Sequence, residues 1–273
     1  MAANENSKDL LSVLWAGADI LRGKMDANEY KNYLLGIVFY KYLSDTFLTH
    51  VYDLLNNEKP ESMAEAQAAY EEVYSTEDAE ELLEDIKESY HYTIEPELTY
   101  TKLAEAASKN AFQREMLKKA FNHVEQSDPI FANLFADVDL YSTRLGSGEQ
   151  KQSATVAEVV KKINEADLLN HEGDVLGDAY EYLIGQFASE TGKKAGEFYT
   201  PQAVSQILTR VAIQGQEDKQ GLLVYDAAMG SGSLLLNARK FSHKPDYIRY
   251  FGQELSTTTY NLARMNMFLH GVD

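Results

Sequence analysis

Residues 221–236, GLLVYDAAMGSGSLLL, run from an apolar stretch into an acid, pass two glycines around a serine, and return to apolar residues. That order reads as a short buried strand, a tight turn and a helix, because glycine accepts the left-handed backbone of so sharp a reversal. Several cofactor classes are held at such a turn, so the residues within it must discriminate. A Walker phosphate loop ends in Gly-Lys-Ser/Thr so that the lysine reaches the terminal phosphates, whereas here the first lysine after the turn is Lys240. A dinucleotide turn needs Gly-x-Gly-x-x-Gly. Gly230 and Gly232 supply the first pair, but Leu235 stands in the third place. An esterase elbow needs Gly-x-Ser-x-Gly, and Ser231 has Met229 and Ser233 at those positions.

What remains is a turn bordered by two acids. Asp226 closes the first strand, and Glu254 closes a second apolar run, YIRYFGQE. A carboxylate at the end of the second strand can accept hydrogen bonds from both hydroxyls of a ribose. An acid in place of a phosphate cradle suits a cationic ligand without phosphates. S-adenosylmethionine, an adenosine joined to a positively charged amino acid, is such a ligand. A ligand-free strand-to-helix turn would carry the same residues, and a nicotinamide dehydrogenase is the third reading of the glycine pair.

The chain is long enough for two domains, and its pattern changes midway. Leu10, Leu11, Leu14, Ala18 and Leu21 recur at helical spacing until Arg22-Gly23. Asp26 and Glu29 resemble a capping box opening a second helix, which carries Tyr30, Tyr33, Leu34, Ile37, Val38 and Phe47 as core residues rather than a base-stacking platform. The acidic stretch 61–92 is helical around Leu82, Leu83 and Ile86, another helix covers 101–124, and Pro129 breaks it. YSTRLGSGEQKQSATV, residues 141–156, reads as a loop between domains, so the expected division is 1–150 and 151–273.

In the second part, Asp174 caps a helix with Leu176, Ala179, Leu183 and Phe187 on one face, and Thr200-Pro201 starts another as hydroxyl cap and first-turn proline. A helix over 233–241 joins the two strands, and Ser256 caps a helix reaching about His270. The expected fold class is α + α/β: a helical N-terminal domain, then the start of a parallel, doubly wound sheet.

The net charge of −18 is uneven, with fourteen acids against two lysines between Glu58 and Glu97. Such a surface is poorly suited to gripping DNA phosphates alone, so any contact with DNA is expected to be shared with a more basic partner. The acidic segment itself reads as a solvated helix face. With no cysteine there is no thiolate chemistry, and the six histidines (50, 91, 123, 171, 243 and 270) show no ligand spacing, so no metal is assigned. No signal-peptide pattern opens the chain, and YLLGIVFYKYL is broken by Lys41, so a cytoplasmic protein without membrane contact is expected.

Three stretches of the second part, GDVLGDAYEYLIGQFASETGKKAGEFYTP, YDAAMGSGSLLL and FGQELSTTTYNLARMNMFLHGV, resemble the modification subunits of type I restriction–modification systems, adenine-specific DNA methyltransferases often called HsdM. LWAGADILRGKMDANEYKNYLLGIVFYKYLSD is similar to that family's helical N-terminal domain. The resemblance covers nearly the whole chain. It implies a Rossmann-like, S-adenosylmethionine-dependent methyltransferase domain and transfer of the methyl group to the exocyclic amine of adenine in DNA. It implies cofactor contacts from Glu197, Phe198, Tyr199, Thr200, Pro201 and Gln202 beside the methionine part, from Asp226, Gly230, Ser231, Gly232 and Ser233 at the turn, and from Glu254 at the ribose. The implied partners are a DNA-specificity subunit, a second modification subunit, a restriction and translocase subunit, and duplex DNA through the complex.

Two departures stand out. Ala227 replaces the family's usual proline after the acid, which is expected to loosen the turn without destroying it. The Asn-Pro-Pro-aromatic motif that holds the flipped adenine is expected beyond Asp273, and no Asn-Pro pair occurs in the sequence. The chain alone is therefore expected to be inactive. The alternative reading is a non-catalytic cofactor-binding or assembly module derived from the same family.

Overall fold

The computed structural model describes residues 5–168, 175–191 and 199–272. It divides into two compact units, Met1–His171 and Glu172–Asp273. Among the described residues the first unit is helical, with α1 (Glu5–Leu21), α2 (Ala27–Asn56), α3 (Met63–Tyr74), α4 (Ala79–Tyr90), α5 (Tyr100–Ser108), α6 (Arg114–Ser127) and α7 (Glu149–Asn164). The core forms around α2, on which Tyr30, Tyr33, Leu34, Ile37, Val38 and Phe47 are all buried, as the helical spacing implies. Buried tyrosines then satisfy loop carbonyls. Tyr40 donates to Leu98 O at 2.7 Å, Tyr70 to Ile94 O at 2.7 Å, and Tyr92 to Leu43 O at 2.8 Å, stitching the segment after α4 to the core.

Several sequence expectations are corrected here. The Asp26–Glu29 capping box does not form: the Asp26 side chain makes no cap bond, and the Glu29 carboxylate pairs with Arg144 instead. The stretch 101–124 splits into α5 and α6, because Asn110 takes a left-handed conformation at φ +55°. Residues 141–156 do not form an interdomain loop. From Glu149 they are α7, which packs against α1 and α5 inside the first unit. The polar residues that suggest a loop are engaged locally. Gln152 donates to the carbonyls of Tyr141 and Ser142 at 3.0 and 3.1 Å, and Thr155 to Leu145 O at 2.8 Å. Gly17 admits the approach of α7, since a Cβ there would lie 2.7 Å from Ile163 Cδ1. The division between units therefore falls after His171 rather than near 150.

The second unit holds α8 (Val175–Thr191), α9 (Gln202–Ile213), β1 (Leu223–Asp226), α10 (Ser233–Phe241), β2 (Arg249–Gly252) and α11 (Thr257–Leu269). β1 and β2 pair in parallel, from Leu223 opposite Arg249 to Asp226 opposite Gly252. One face of this pair packs on Ile213, Leu222, Ala238 and Ile248, joined by Val224, Phe241 and Tyr250. The other face is open. Leu223, Tyr225 and Phe251 are 65 %, 60 % and 51 % exposed, so β1 is half-buried rather than buried. Leu176, Ala179, Leu183 and Phe187 of α8 are buried together as expected, while the Asp174 cap lies outside the described residues. Thr200 does not cap α9. Pro201 takes that position, and its carbonyl accepts from the Val204 and Ser205 N–H groups at 2.9 and 3.0 Å. Ser256 caps α11 as expected, accepting from Thr259 N–H.

Candidate functional site

The turn after β1 is held by the exit of β2. Gln253 N–H donates to Asp226 O, and Met229 N–H to Gln253 O, both at 2.9 Å. Gly230 and Gly232 take φ values of +56° and +80°, a region that side chains disfavour. Gly252 lies against the turn so closely that a Cβ on it would collide with Met229 Sδ. The alternation of apolar strand, glycines and acid thus produces a backbone cradle between two strand ends.

The two acids finish this cradle. Asp226 Oδ1 accepts from Ala228 N–H at 2.9 Å. Glu254 Oε2 accepts from Gly230 N–H at 3.2 Å, and its Oε1 from Ser256 N–H at 2.9 Å. A carboxylate offers about four lone-pair sites, so both side chains keep acceptor capacity beyond these bonds. Among the described residues neither acid is ion-paired. Two half-buried carboxylates without a cation beside a glycine cradle suit hydroxyl donors and positive charge, and would repel phosphate.

Ser231 and Ser233 lie beneath this surface. Both are 2 % exposed, and their hydroxyls are 3.0 Å apart. Asn266 of α11, itself buried, donates to Ser231 O at 3.0 Å and braces the turn from below.

Of the other sequence candidates, Glu197 and Phe198 lie outside the described residues. Tyr199 and Thr200 are half-buried, and Pro201 is exposed. The Tyr199 hydroxyl is raised above its usual range by burial and by the charge of Glu181, offset by a hydrogen bond with the Gln202 backbone. Gln202 reaches both neighbouring helices, donating to Glu181 Oε2 of α8 at 2.9 Å and accepting from Asn237 Nδ2 of α10 at 3.2 Å. The structure thus gathers Asp226, Gly230, Gly232 and Glu254 into one cradle and connects the Tyr199–Gln202 segment to it through α10.

Glu181, Asn237 and Asn266 escape a sequence reading, because each sits inside an apolar helical pattern that points to core packing. A polar residue on the apolar face of a helix is the available signal. Ligand-type atoms of Asp178, Glu181 and His270 lie within 4.8 Å of one another. Lys240 already supplies positive charge there, at 2.7 Å from Asp178 and 3.4 Å from Glu181. Burial pulls the Lys240 ammonium down, and its bonds to these two carboxylates outweigh that, so its pKa is raised.

Comparison with known proteins places the chain in a family. A family model for the HsdM N-terminal domain matches residues 10–163, and one for N-6 DNA methylases matches residues 171–273. The chain is similar to the methylase subunit of the type I restriction enzyme MpnII from Mycoplasma pneumoniae, 34 % identical over 95 % of this chain and 50 % of that protein. It is also similar to the MjaVIII methylase subunit from Methanocaldococcus jannaschii, 30 % identical over 98 % of this chain and 42 % of that one. A crystal structure of a type I restriction–modification methyltransferase subunit from Streptococcus thermophilus superposes with a TM-score of 0.93 and 55 % identity, covering 98 % of this chain and 56 % of that one. The chain therefore spans about half the length of these relatives. On these matches, the chain belongs to the family of type I restriction–modification methylase subunits, with an HsdM N-terminal domain followed by N-6 DNA methylase sequence.

Proposed function

We propose that the second unit carries the S-adenosylmethionine site of an adenine-specific DNA methyltransferase subunit, the beginning of a Rossmann-like methyltransferase domain. The observation that carries this reading is a pair of carboxylates, Asp226 and Glu254, that have no ion-pair partner among the described residues and flank two glycines of positive φ. Glu254 would accept hydrogen bonds from the ribose hydroxyls with the lone pairs that Gly230 and Ser256 leave free. Asp226 would add negative charge facing the cationic part, and Gly230 and Gly232 would let the backbone approach the ligand. The Tyr199–Gln202 segment, with Glu197 and Phe198 before it, would cover the methionine part. When bound, the cofactor supplies an electrophilic methyl group on sulfur.

The acidic charge of −18 supports a division of labour in which DNA is gripped by a more basic partner. We assign that role to a DNA-specificity subunit, with a second modification subunit in the same assembly and a restriction and translocase subunit added for cleavage. The residues that hold the adenine amine are not among these 273, where no Asn-Pro pair occurs. Aligning a nucleophile contributes about 7–11 kcal/mol to such reactions, so cofactor binding alone does not substitute for it.

The test is incorporation of labelled methyl groups into duplex DNA. The chain is assayed alone, and with a specificity subunit and the second half of a related methylase subunit supplied in trans. Labelled N6-methyladenine is expected only in the combined reaction. Robust incorporation by the chain alone would overturn the assignment of the adenine-holding groups to other residues.

A further inference from the structure

We infer that Glu181 is a positioning residue: it orients the Gln202 carboxamide and thereby sets the Tyr199–Gln202 segment at the height the cofactor cradle requires. This rests on the cofactor reading above and adds to it a residue outside the turn.

Glu181 is 4 % exposed, and buried charge must be compensated. Lys240 lies 3.4 Å from Glu181 Oε2, and Gln202 Nε2 donates to the same oxygen at 2.9 Å. An ionised carboxylate only accepts hydrogen bonds, so it admits the amide of Gln202 in one orientation, nitrogen inward. The Gln202 oxygen then faces Asn237, which presents Nδ2 at 3.2 Å, and the same Nδ2 donates to Ser205 Oγ at 2.6 Å. The direction of every bond in this chain follows from the single acceptor-only group at its end. Both polar ends of the Gln202 side chain are thereby engaged within the protein.

The placement of these residues gives the chain its consequence. Asn237 and Lys240 belong to α10, the helix that leaves Gly232, so they are fixed relative to the cradle. Glu181 and Gly185 are one turn apart on α8. A Cβ at Gly185 would lie 3.0 Å from the Tyr199 hydroxyl, so the glycine makes room for that ring. One face of α8 therefore receives both Tyr199 and Gln202, and the half-buried amide ties that face to α10. Loosening the amide would free the segment without touching the turn itself.

A reciprocal exchange tests this. Gln202→Glu sets two carboxylates against each other, and S-adenosylmethionine affinity measured by calorimetry is expected to fall about tenfold or more. Adding Glu181→Gln restores a donor–acceptor pair of reversed direction, since the new amide donates to the new carboxylate, which still accepts from Asn237. Affinity is expected to return to within about threefold of wild type. Thermal unfolding is followed in parallel. Should Gln202→Glu fail to fold, Asn237→Asp opposes the Gln202 oxygen from the other side and is expected to show the same loss of affinity. If wild type binds and the double variant stays as weak as Gln202→Glu, or if the single variants bind like wild type, Glu181 does not position the segment. If wild type shows no affinity, the cofactor reading falls and the inference falls with it.

Discussion

Glu254 lies beyond the end of β2, yet its carboxylate accepts the backbone N–H of Gly230, in the turn after β1, at 3.2 Å. The residue that closes one strand thus also shapes the glycine turn of the other. This dual role makes the side chain informative when altered. Glu254→Ala would remove the proposed ribose acceptor and the brace on Gly230 together. Hydrogen bonds to charged groups are worth about 1.5–3 kcal/mol, so S-adenosylmethionine affinity is expected to drop roughly tenfold to a hundredfold by calorimetry. Equal affinities for wild type and variant would remove Glu254 from the site.

Gly252 separates packing from ligand chemistry. Any side chain there meets Met229 Sδ, with Leu235 Cδ1 3.3 Å from the added Cβ. Gly252→Ala is expected to destabilise the second unit by about 1–3 kcal/mol through overpacking, read from denaturant unfolding. Adding Met229→Ala is expected to recover part of that loss, because the colliding sulfur is gone. No recovery would mean that the cost lies in the backbone.

Lys41 and Asp45 form an ion pair inside the first unit, each side chain 4 % exposed. Burial holds the Asp45 carboxyl above the ordinary carboxylate range, and the Lys41 ammonium offsets this in part. Lys41→Met removes the offset and leaves a buried acid alone, at a cost of about 3–5 kcal/mol near neutral pH. A carboxyl raised in the folded state favours folding below its unfolded value and loses that contribution as pH rises through its folded value. The variant's deficit is therefore expected to shrink as pH falls towards about 4. A deficit independent of pH, measured by denaturant unfolding at several pH values, would contradict the assignment.

Val204, Ile207, Leu208 and Val211 form a stripe along α9, between 48 % and 68 % exposed, and Leu255 is fully exposed. Together with the open face of β1 and β2, this is more apolar surface than isolated surface residues account for. A parallel pair is also marginal without cover. The chain is expected to self-associate as its concentration rises, and Ile207→Glu with Val211→Glu to suppress this in sedimentation velocity. Hydrogen exchange is expected to be faster in 223–226 and 249–252 than in α2. Strong protection of both strands in a clean monomer would contradict the account.

Much of this architecture is legible in the sequence where local chemistry alone decides the outcome. The glycine turn, the helix over 233–241, the Ser256 cap and the core aromatics of α2 each depend on a few neighbouring residues. The failures share a different cause. Thr200 and Asp26 carry capping side chains that remain unused, because the local backbone meets its bonds elsewhere. Gln152 and Thr155 look like linker residues until the carbonyls they satisfy are known. Glu181 is hidden for the same reason: its partners Gln202 and Lys240 are 21 and 59 residues away.

The central claim, a site for a cationic, phosphate-free nucleoside at the turn after β1, is tested most directly by calorimetric titration of the 273-residue chain. S-adenosylmethionine and NAD are compared, with Glu254→Ala alongside. Saturable binding of S-adenosylmethionine that Glu254→Ala weakens, with no comparable binding of NAD, is the predicted result. Tighter binding of NAD, or binding of S-adenosylmethionine indifferent to Glu254, would contradict it.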